Sequence, residues 1–259
     1  MAPIEIPNAV IDALRHARHI AVLTGAGVSA ESGVPTFRDA QTGLWSKFNP
    51  QELATREAFA RNPKVVWEWY AYRRARVEHV APNAGHYALA EMEKRVAQFT
   101  LITQNIDGLH ERAGSRNIIE LHGNIRRAKC FAEDVPVARW IDDGQIPPRC
   151  PRCGAYLRPD VVWFGEMLPP SALDAAFRAA QTCDVFFSIG TSGVVEPAAS
   201  LPFLALRNGA VVIEVNPDAT PFSASATLHL AAPSGIALPR VVECAWTADV
   251  RWNTARESG

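Results

Sequence analysis

A glycine-rich loop directly follows a short apolar run near the amino terminus. Gly25, Gly27 and Ala30 fit the spacing G-x-G-x-x-G/A. In that pattern a tight turn brings backbone N–H groups close to a pyrophosphate, so a dinucleotide is the first ligand to expect. Hydride-transfer domains also need an acidic residue about 20 positions further on, which holds a ribose hydroxyl. That distance falls on Gly43 and Leu44 here, which favours a chemistry other than hydride transfer.

Polar side chains follow the next two apolar runs. Gln104, Asn105 and Asp107 lie within four residues of one another, and His122 follows the second run. An Asx turn at Asp107 that leads into a helix would explain the first group equally well. Histidine titrates near neutrality, so His122 is the natural candidate for a base that removes a proton from a sugar hydroxyl.

Two later runs also end in small or polar residues, which either contribute to the same site or form ordinary turns. These residues are Gly190, Thr191 and Ser192 after one run, and Asn216, Pro217 and Asp218 after the other.

The runs that precede these groups are short, apolar and β-branched, as expected of strands that are covered on both faces. The pattern predicts strands at 21–23, 99–103, 118–121, 185–189, 211–215 and 227–230. Helical spacing occurs at 7–18, 83–94, 170–180 and 197–208. This alternation predicts an α/β fold with a doubly wound, parallel, Rossmann-like sheet, and such sheets bind ligands at the carboxyl ends of their strands.

Two segments interrupt the alternation. Residues 40–80 are largely helical in pattern, and residues 124–160 contain Cys130, Cys150 and Cys153. We interpret them as a second, smaller module that is inserted into a single catalytic domain spanning 1–259, and we expect the ligand site in the cleft between the two parts. The remaining core would cover about 7–39, 81–123 and 161–245.

Composition excludes several classes of function. The 26 basic and 27 acidic residues give a formal net charge of −1, so no basic field predicts nucleic-acid or membrane binding. No apolar run has transmembrane length, and the amino terminus lacks a charged start followed by an apolar run. Five cysteines, an odd number, favour reduced thiols. We expect a cytoplasmic monomer.

Taken together and in this order, the motifs resemble the sirtuins, which are NAD-dependent protein lysine deacylases, over roughly residues 10–240. The resemblance implies that the reacting amide oxygen of an acyl-lysine attacks the ribose of NAD and expels nicotinamide. It makes His122 and Asn105 the catalytic residues. It assigns NAD binding to Gly25, Ala26, Gly27, Ser29, Ala30, Pro35, Thr36, Phe37, Arg38, Leu44, Gln104, Asn105, Ile106, Asp107, Gly190, Thr191, Ser192, Asn216, Pro217, Asp218 and Ser234.

The resemblance also implies two substrate contacts. Val161, Val162, Trp163 and Phe164 match the segment that pairs with an extended substrate peptide, and strand addition of this kind supplies affinity through main-chain bonds.

The second substrate contact is a Tyr-x-x-Arg pattern. Tyr70 and Arg73 are three residues apart on a predicted helix and therefore share a face, and a phenol beside a guanidinium suits a carboxylate. Spacing alone equally allows an amphipathic helix with solvated arginines, or a pair formed by Tyr72 and Arg76. Similarity to class III sirtuins favours Tyr70 and Arg73, and with them succinyl, malonyl or glutaryl groups in addition to acetyl.

The cysteines match a zinc ribbon incompletely. Sirtuins carry two Cys-x-x-Cys pairs, but the first pair here reads Cys130-Phe-Ala-Glu133, whereas Cys150 and Cys153 form an intact second pair. Zinc accepts carboxylate oxygen, so Glu133 or Asp134 would complete the site, or the metal is lost.

Two other functions fit the same NAD site. One is an NAD hydrolase or mono-ADP-ribosyltransferase, and the other is a catalytically silent NAD sensor. The acyl and peptide contacts argue against the first, and His122 with Asn105 argues against the second.

Overall fold

A computed structural model describes residues 4–34, 49–140 and 144–246. Five residues of the predicted NAD site lie outside these ranges, namely Pro35, Thr36, Phe37, Arg38 and Leu44. Within the described ranges no helix is both long and apolar enough to cross a membrane.

A parallel sheet forms the centre of the larger part of the molecule. Its strands are β1 (His19–Thr24), β2 (Gln98–Thr103), β3 (Ile118–Glu120), β7 (Val185–Ile189), β8 (Val211–Val215) and β9 (Leu228–Leu230). They lie in the order β3-β2-β1-β7-β8-β9, and every neighbouring pair is parallel. The predicted doubly wound fold is therefore confirmed. The chain moves outward from β1 in both directions, so β1 and β7 flank the switch point where such sheets bind ligands.

Helices cover both faces of this sheet. One face packs against α1 (Asn8–His16), α5 (Ala84–Glu93) and α9 (Ser234–Trp246), and the other packs against α7 (Pro170–Thr182) and α8 (Leu201–Arg207). The short helix α6 (Leu109–Ala113) follows β2. Strands β1 and β7 are buried along their whole length, which explains why they are apolar throughout. The sequence analysis did not predict α9, whose pattern is interrupted by Pro239.

The smaller part contains a second, antiparallel sheet that the sequence analysis did not predict. Its strands are β4 (Gly123–Cys130), β5 (Pro136–Val137) and β6 (Leu157–Val161), in the order β5-β4-β6. The helices α2 (Pro50–Leu53), α3 (Arg56–Arg61) and α4 (Pro63–Glu78) lie beside it. Arg126 and Arg127 conceal the strand pattern of β4, because these two consecutive residues are both exposed where the pairing of β4 with β6 is irregular.

Helix α4 is buried on two sides. It begins after Asn62, whose side-chain oxygen accepts a hydrogen bond from the N–H of Val65 at 3.3 Å. Trp69 and Tyr70 pack into one apolar cluster, and Trp67 packs into another that includes Cys130. The helix therefore has no single apolar stripe, and its tyrosines and arginines are held in fixed positions by packing.

Gly123 forms the junction between the two sheets. Its φ is +78°, and a Cβ atom built there would lie 2.2 Å from the carbonyl oxygen of Asp160. That oxygen belongs to the backbone of β6 and cannot give way cheaply. Only glycine therefore lets β4 pair with β6 directly after His122.

We expect Gly123→Ala to lower the free energy of unfolding by about 2–5 kcal/mol, the sum of left-handed strain and overpacking. Gly209→Ala is the matched control, because Gly209 has a φ of +88° but nothing within 4 Å of its built Cβ. It should cost only the strain, about 1–2 kcal/mol. Denaturant titration measures both, and equal losses would contradict the crowding argument.

Candidate active site

A cavity of about 1310 Å³ lies between the carboxyl edge of the parallel sheet and the smaller part of the molecule. It brings together residues that the sequence analysis selected from distant segments. The predicted residues in its wall are Gly25, Ala26, Gly27, Ser29, Tyr70, Arg73, Gln104, Asn105, Ile106, Asp107, His122, Val161, Val162, Trp163, Phe164, Gly190, Thr191, Ser192, Asn216 and Asp218.

Three described residues of the predicted NAD site are not part of the wall. They are Ala30, Pro217 and Ser234. Ser234 is buried at the start of α9, and its hydroxyl group faces the carbonyl oxygen of Val28 at 3.5 Å and the carboxylate of Glu31 at 3.3 Å. Its nearest polar partners therefore belong to the glycine-rich segment behind the cavity.

The glycine-rich loop forms the floor of the cavity by touching the end of β7. The N–H of Gly27 donates to the carbonyl oxygen of Gly190 at 2.8 Å, and the N–H of Gly25 donates to that of Ile189 at 3.0 Å. A Cβ atom on Gly27 would lie 2.7 Å from the Cα of Gly190. A short 3-10 helix, Ala26–Ser32, starts at this contact. Two backbones that approach so closely leave room for phosphates above them.

A buried hydrogen-bond network connects Asn105 and Asp107 to this floor. The side-chain amide of Asn105 donates to the hydroxyl oxygen of Ser29 at 3.1 Å, and Ser29 donates to the carboxylate of Asp107 at 2.8 Å. The N–H of Leu109 donates to the other carboxylate oxygen at 2.9 Å. Burial raises the pKa of Asp107, although these bonds oppose the shift. The network fixes Asn105 and Asp107 relative to the glycine loop.

Two histidines that the sequence analysis did not select lie under this network. The Nε2 atom of His86 lies 3.3 Å from the hydroxyl oxygen of Ser29, and the rings of His86 and His110 are 4.8 Å apart. Burial lowers the pKa of His86 to about 4 and that of His110 well below its usual range. Both rings are therefore neutral at pH 7. The capping pattern at Asn83 and His86 was the only sequence signal that could have located the first.

His122 projects into the cavity with its tautomer fixed. Its Nδ1 atom lies 2.9 Å from the carbonyl oxygen of Gln104. A carbonyl oxygen only accepts hydrogen bonds, so Nδ1 carries the proton and Nε2 has the lone pair of a base. Burial lowers the pKa of His122, and the bond to Gln104 partly opposes this. The ring is therefore neutral and oriented at pH 7.

Tyr70 and Arg73 line the side of the cavity formed by α4. The indole N–H of Trp163 donates to the phenol oxygen of Tyr70 at 3.0 Å, so the phenol proton can be donated to a ligand. Burial raises the pKa of Tyr70 to about 12, and the phenol stays protonated. The Arg73 guanidinium lies over the Trp69 ring, 4.9 Å from its centroid, and burial lowers its pKa. Tyr72 and Arg76 also line the cavity, with Arg76 donating to the Tyr72 oxygen at 3.1 Å.

The segment after β6 is held by a buried ion pair that the sequence analysis missed. The Nη1 and Nη2 atoms of Arg158 donate to the carboxylate of Glu166 at 2.5 and 2.8 Å. The N–H of Trp163 donates to the same carboxylate at 2.8 Å. Burial alone would raise the pKa of Glu166, but these bonds hold it at about 2. Within this segment Trp163 is buried, whereas Phe164 is exposed at the cavity rim.

Comparison with known proteins assigns this arrangement to a family. A sequence model of the Sir2 family matches residues 25–197. The NAD-dependent protein deacylase of Aquifex aeolicus is 51% identical over 232 residues, which cover 87% of this chain and 94% of that protein. The NAD-dependent protein deacylase 1 of Pseudomonas aeruginosa is 48% identical over 247 residues, covering 92% and 99%. This chain belongs to the Sir2 family.

Solved structures agree with that assignment. A complex of a Sir2 homologue with NAD superposes with a TM-score of 0.85 at 44% identity, covering 94% of this chain and 95% of that one. A Sir2 protein bound to an acetylated peptide gives a TM-score of 0.81 at 32% identity, with coverage of 92% and 98%.

This Sir2-family chain contains a group of side chains that fits a zinc ion. Cys130, Cys150, Cys153 and Glu133 each offer one ligand atom, and these atoms all lie within 4.8 Å of one another. A tetrahedral zinc ion with Zn–S bonds of about 2.3 Å places its sulfur ligands about 3.8 Å apart. The sulfur atoms of Cys130 and Cys153 are 3.4 Å apart. The N–H of Glu133 also donates to the Cys130 sulfur at 3.4 Å. Three thiolates and one carboxylate are therefore a suitable donor set.

The structure distinguishes between the two acids that the sequence left open. Asp134, whose φ is +55°, is not part of the group of ligand atoms that the cysteines form with Glu133. Its carboxylate lies 3.1 Å from Lys129, 3.7 Å from Arg56 and 3.9 Å from Arg158. Glu133 contacts only Arg152 among the described cations, at 2.5 Å. Glu133 is therefore the acid that is available to a metal ion.

We expect purified protein to contain one zinc ion per chain. Glu133→Ala should accelerate zinc transfer to a chromogenic chelator by at least about tenfold, because one of four ligands is lost. Glu133→Cys should slow the transfer, and Asp134→Asn should leave it unchanged. Zinc well below one equivalent in the wild type, or identical transfer rates in all variants, would exclude Glu133 as a ligand.

Proposed function

We propose that this chain removes acyl groups from protein lysines in an NAD-dependent reaction. The observation that carries the proposal is the single cavity lined by the glycine floor, by His122 and by the pair Tyr70 and Arg73. It is further supported by curated relatives about half identical to this chain, which are named NAD-dependent protein deacylases. A related Sir2 homologue has been solved with 2′-O-acetyl ADP ribose.

The residues present fit NAD. Its pyrophosphate suits the floor where Gly27 and Gly190 touch, since a Cβ atom on either glycine would collide with the backbone of the glycine-rich loop or of Gly190 and force the two apart. Its adenosine half would lie toward Ser192, Asn216 and Asp218, beyond β7 and β8. When bound, NAD supplies an electrophilic ribose carbon and nicotinamide as the leaving group.

In this mechanism the side chains bind, orient and move protons. Asn105 and Asp107 would hold the nicotinamide end, because Ser29 fixes both of them. The Nε2 atom of His122 would accept the proton of a ribose hydroxyl, while Gln104 keeps the proton on Nδ1. The apolar walls, among them Ile106, limit the access of water to the reacting carbon.

We further propose that the acyl groups include ones that end in a carboxylate. Arg73 is half-buried in the cavity wall, with its Nη1 atom shielded from solvent and its guanidinium carbon 5.7 Å from the centroid of the Tyr70 ring. A half-buried cation beside a hydroxyl donor suits a succinyl, malonyl or glutaryl group, since both charge and hydrogen bonding are then matched. The polypeptide that carries the acyl-lysine would extend along Val161, Val162 and Phe164 at the rim.

One assay tests the proposed reaction. The protein is incubated with NAD and with matched acetyl-, succinyl- and malonyl-lysine peptides, and peptide mass and nicotinamide are followed. We expect nicotinamide to be released only when the acyl peptide is present. The amount of nicotinamide should equal the amount of free lysine formed. Release without an acyl peptide would instead indicate NAD hydrolysis, and no release would indicate an NAD-binding protein without catalysis.

We expect Arg73→Met to lower kcat/KM for succinyl-lysine by about 10–100-fold, because charge-assisted hydrogen bonds contribute about 1.5–3 kcal/mol. Turnover of acetyl-lysine should change little. Arg76→Met tests the alternative pair on the same helix and should leave the succinyl preference intact. An equal loss on both substrates would make Arg73 structural, and a selective loss in the Arg76 variant would transfer the role to Tyr72 and Arg76.

We expect the acidic limb of the kcat/KM profile to have its midpoint below pH 6.5. The base must be neutral, and burial lowers the pKa of His122 from 6.5, so the active form persists to lower pH than for a free imidazole. His122→Ala should reduce the rate by about 10²–10⁴-fold and remove this limb. A midpoint above pH 7, or a limb that persists in the variant, would assign the titration to another group.

A further inference from the structure

A buried carboxylate lies under the loop that closes the outer end of the cavity. Glu214 is in β8 and only 1% of it is exposed. The hydroxyl groups of Thr220 and Ser223 each donate to one of its carboxylate oxygens. The side chain does not itself line the cavity, in contrast to Thr220.

The two hydroxyl groups also organise the backbone of the same loop. The oxygen of Ser223 accepts the N–H of Thr220 at 2.7 Å, and the oxygen of Thr220 accepts the N–H of Phe222 at 3.1 Å. Phe222 is buried against the core, with its ring 4.8 Å from that of Phe203 in an edge-to-face arrangement. Each hydroxyl group thus donates to Glu214 and accepts a backbone N–H, so both connect the carboxylate to the loop backbone.

The other end of the loop is fixed at Asn216. Its side-chain amide donates to the carbonyl oxygen of Thr191 at 2.9 Å, and its own carbonyl oxygen lies 3.1 Å from Nε2 of His229. The exposed residues Asp218 and Ala219 lie between the two fixed points and line the cavity. Their position in the wall therefore depends on the attachments at Asn216 and at Thr220.

We propose that Glu214 is a positioning residue for the adenosine half of NAD, acting through Thr220 and Ser223. The inference rests on the proposed function only in that it takes NAD as the ligand of this end of the cavity. The carboxylate of Glu214 holds the loop in the conformation that receives the dinucleotide. Binding therefore does not have to order the loop. Loss of one of these bonds should weaken NAD binding and leave the chemical step unaffected.

The test uses variants at Glu214 and Ser223, neither of which lines the cavity. Ser223→Ala removes one donor, and Glu214→Gln keeps the shape but replaces one acceptor oxygen with an NH₂ group. Ser225→Ala is the matched control, since Ser225 is an exposed serine on the same loop with no side-chain hydrogen bond among the described residues.

Ser223→Ala and Glu214→Gln should raise KM for NAD and the Kd for ADP-ribose by about tenfold, equivalent to about 1.4 kcal/mol. The kcat at saturating NAD and the KM for the acyl peptide should stay within about twofold, and the control Ser225→Ala should resemble the wild type. Unchanged KM for NAD with reduced kcat or lower thermal stability would show a merely structural role and overturn the proposal. ADP-ribose binding does not require catalysis, so it tests Glu214 even if the acyl peptide assay fails.

Discussion

The backbone contact between Gly27 and Gly190 is the constraint on which the rest of the site depends. It joins the ends of β1 and β7, the strands at the switch point of the sheet. Because only glycines fit at this contact, the cavity surface above the contact presents backbone groups instead of side chains. The 3-10 helix that starts at this contact carries Ser29, which in turn fixes Asn105 and Asp107. One close approach of two backbones thus sets the positions of residues about 80 apart in sequence.

Burial determines the charges of the site as well as its shape. His86 and His110 are kept neutral under the floor, and His122 is kept neutral with its lone pair on Nε2. The Arg73 guanidinium, in contrast, is held in the wall by the ring of Trp69. A neutral base and a half-buried cation in one cavity suit a reaction that removes a proton at one point and recognises a carboxylate at another.

The sequence was informative where local composition and final environment agree. The six strands of the large sheet were predictable because strands such as β1 and β7 are buried on both faces and therefore apolar throughout. The small sheet was missed because β4 carries two consecutive exposed arginines between buried residues, at an irregularity in its pairing with β6. The choice between Glu133 and Asp134 needed the three-dimensional structure, since Glu133 offers an oxygen beside the cysteine sulfurs, whereas the carboxylate of Asp134 contacts Lys129. The role of Glu214 could not be predicted from the sequence, because its hydrogen-bond partners lie on the loop that follows it.

We propose that the glycine floor and the imidazole of His122 meet on one ribose. The decisive measurement is a crystal structure of this chain with ADP-ribose. It should place the pyrophosphate over Gly27 and a ribose hydroxyl within hydrogen-bonding distance of Nε2 of His122. A pyrophosphate bound elsewhere, or a ribose out of reach of that nitrogen, would contradict it.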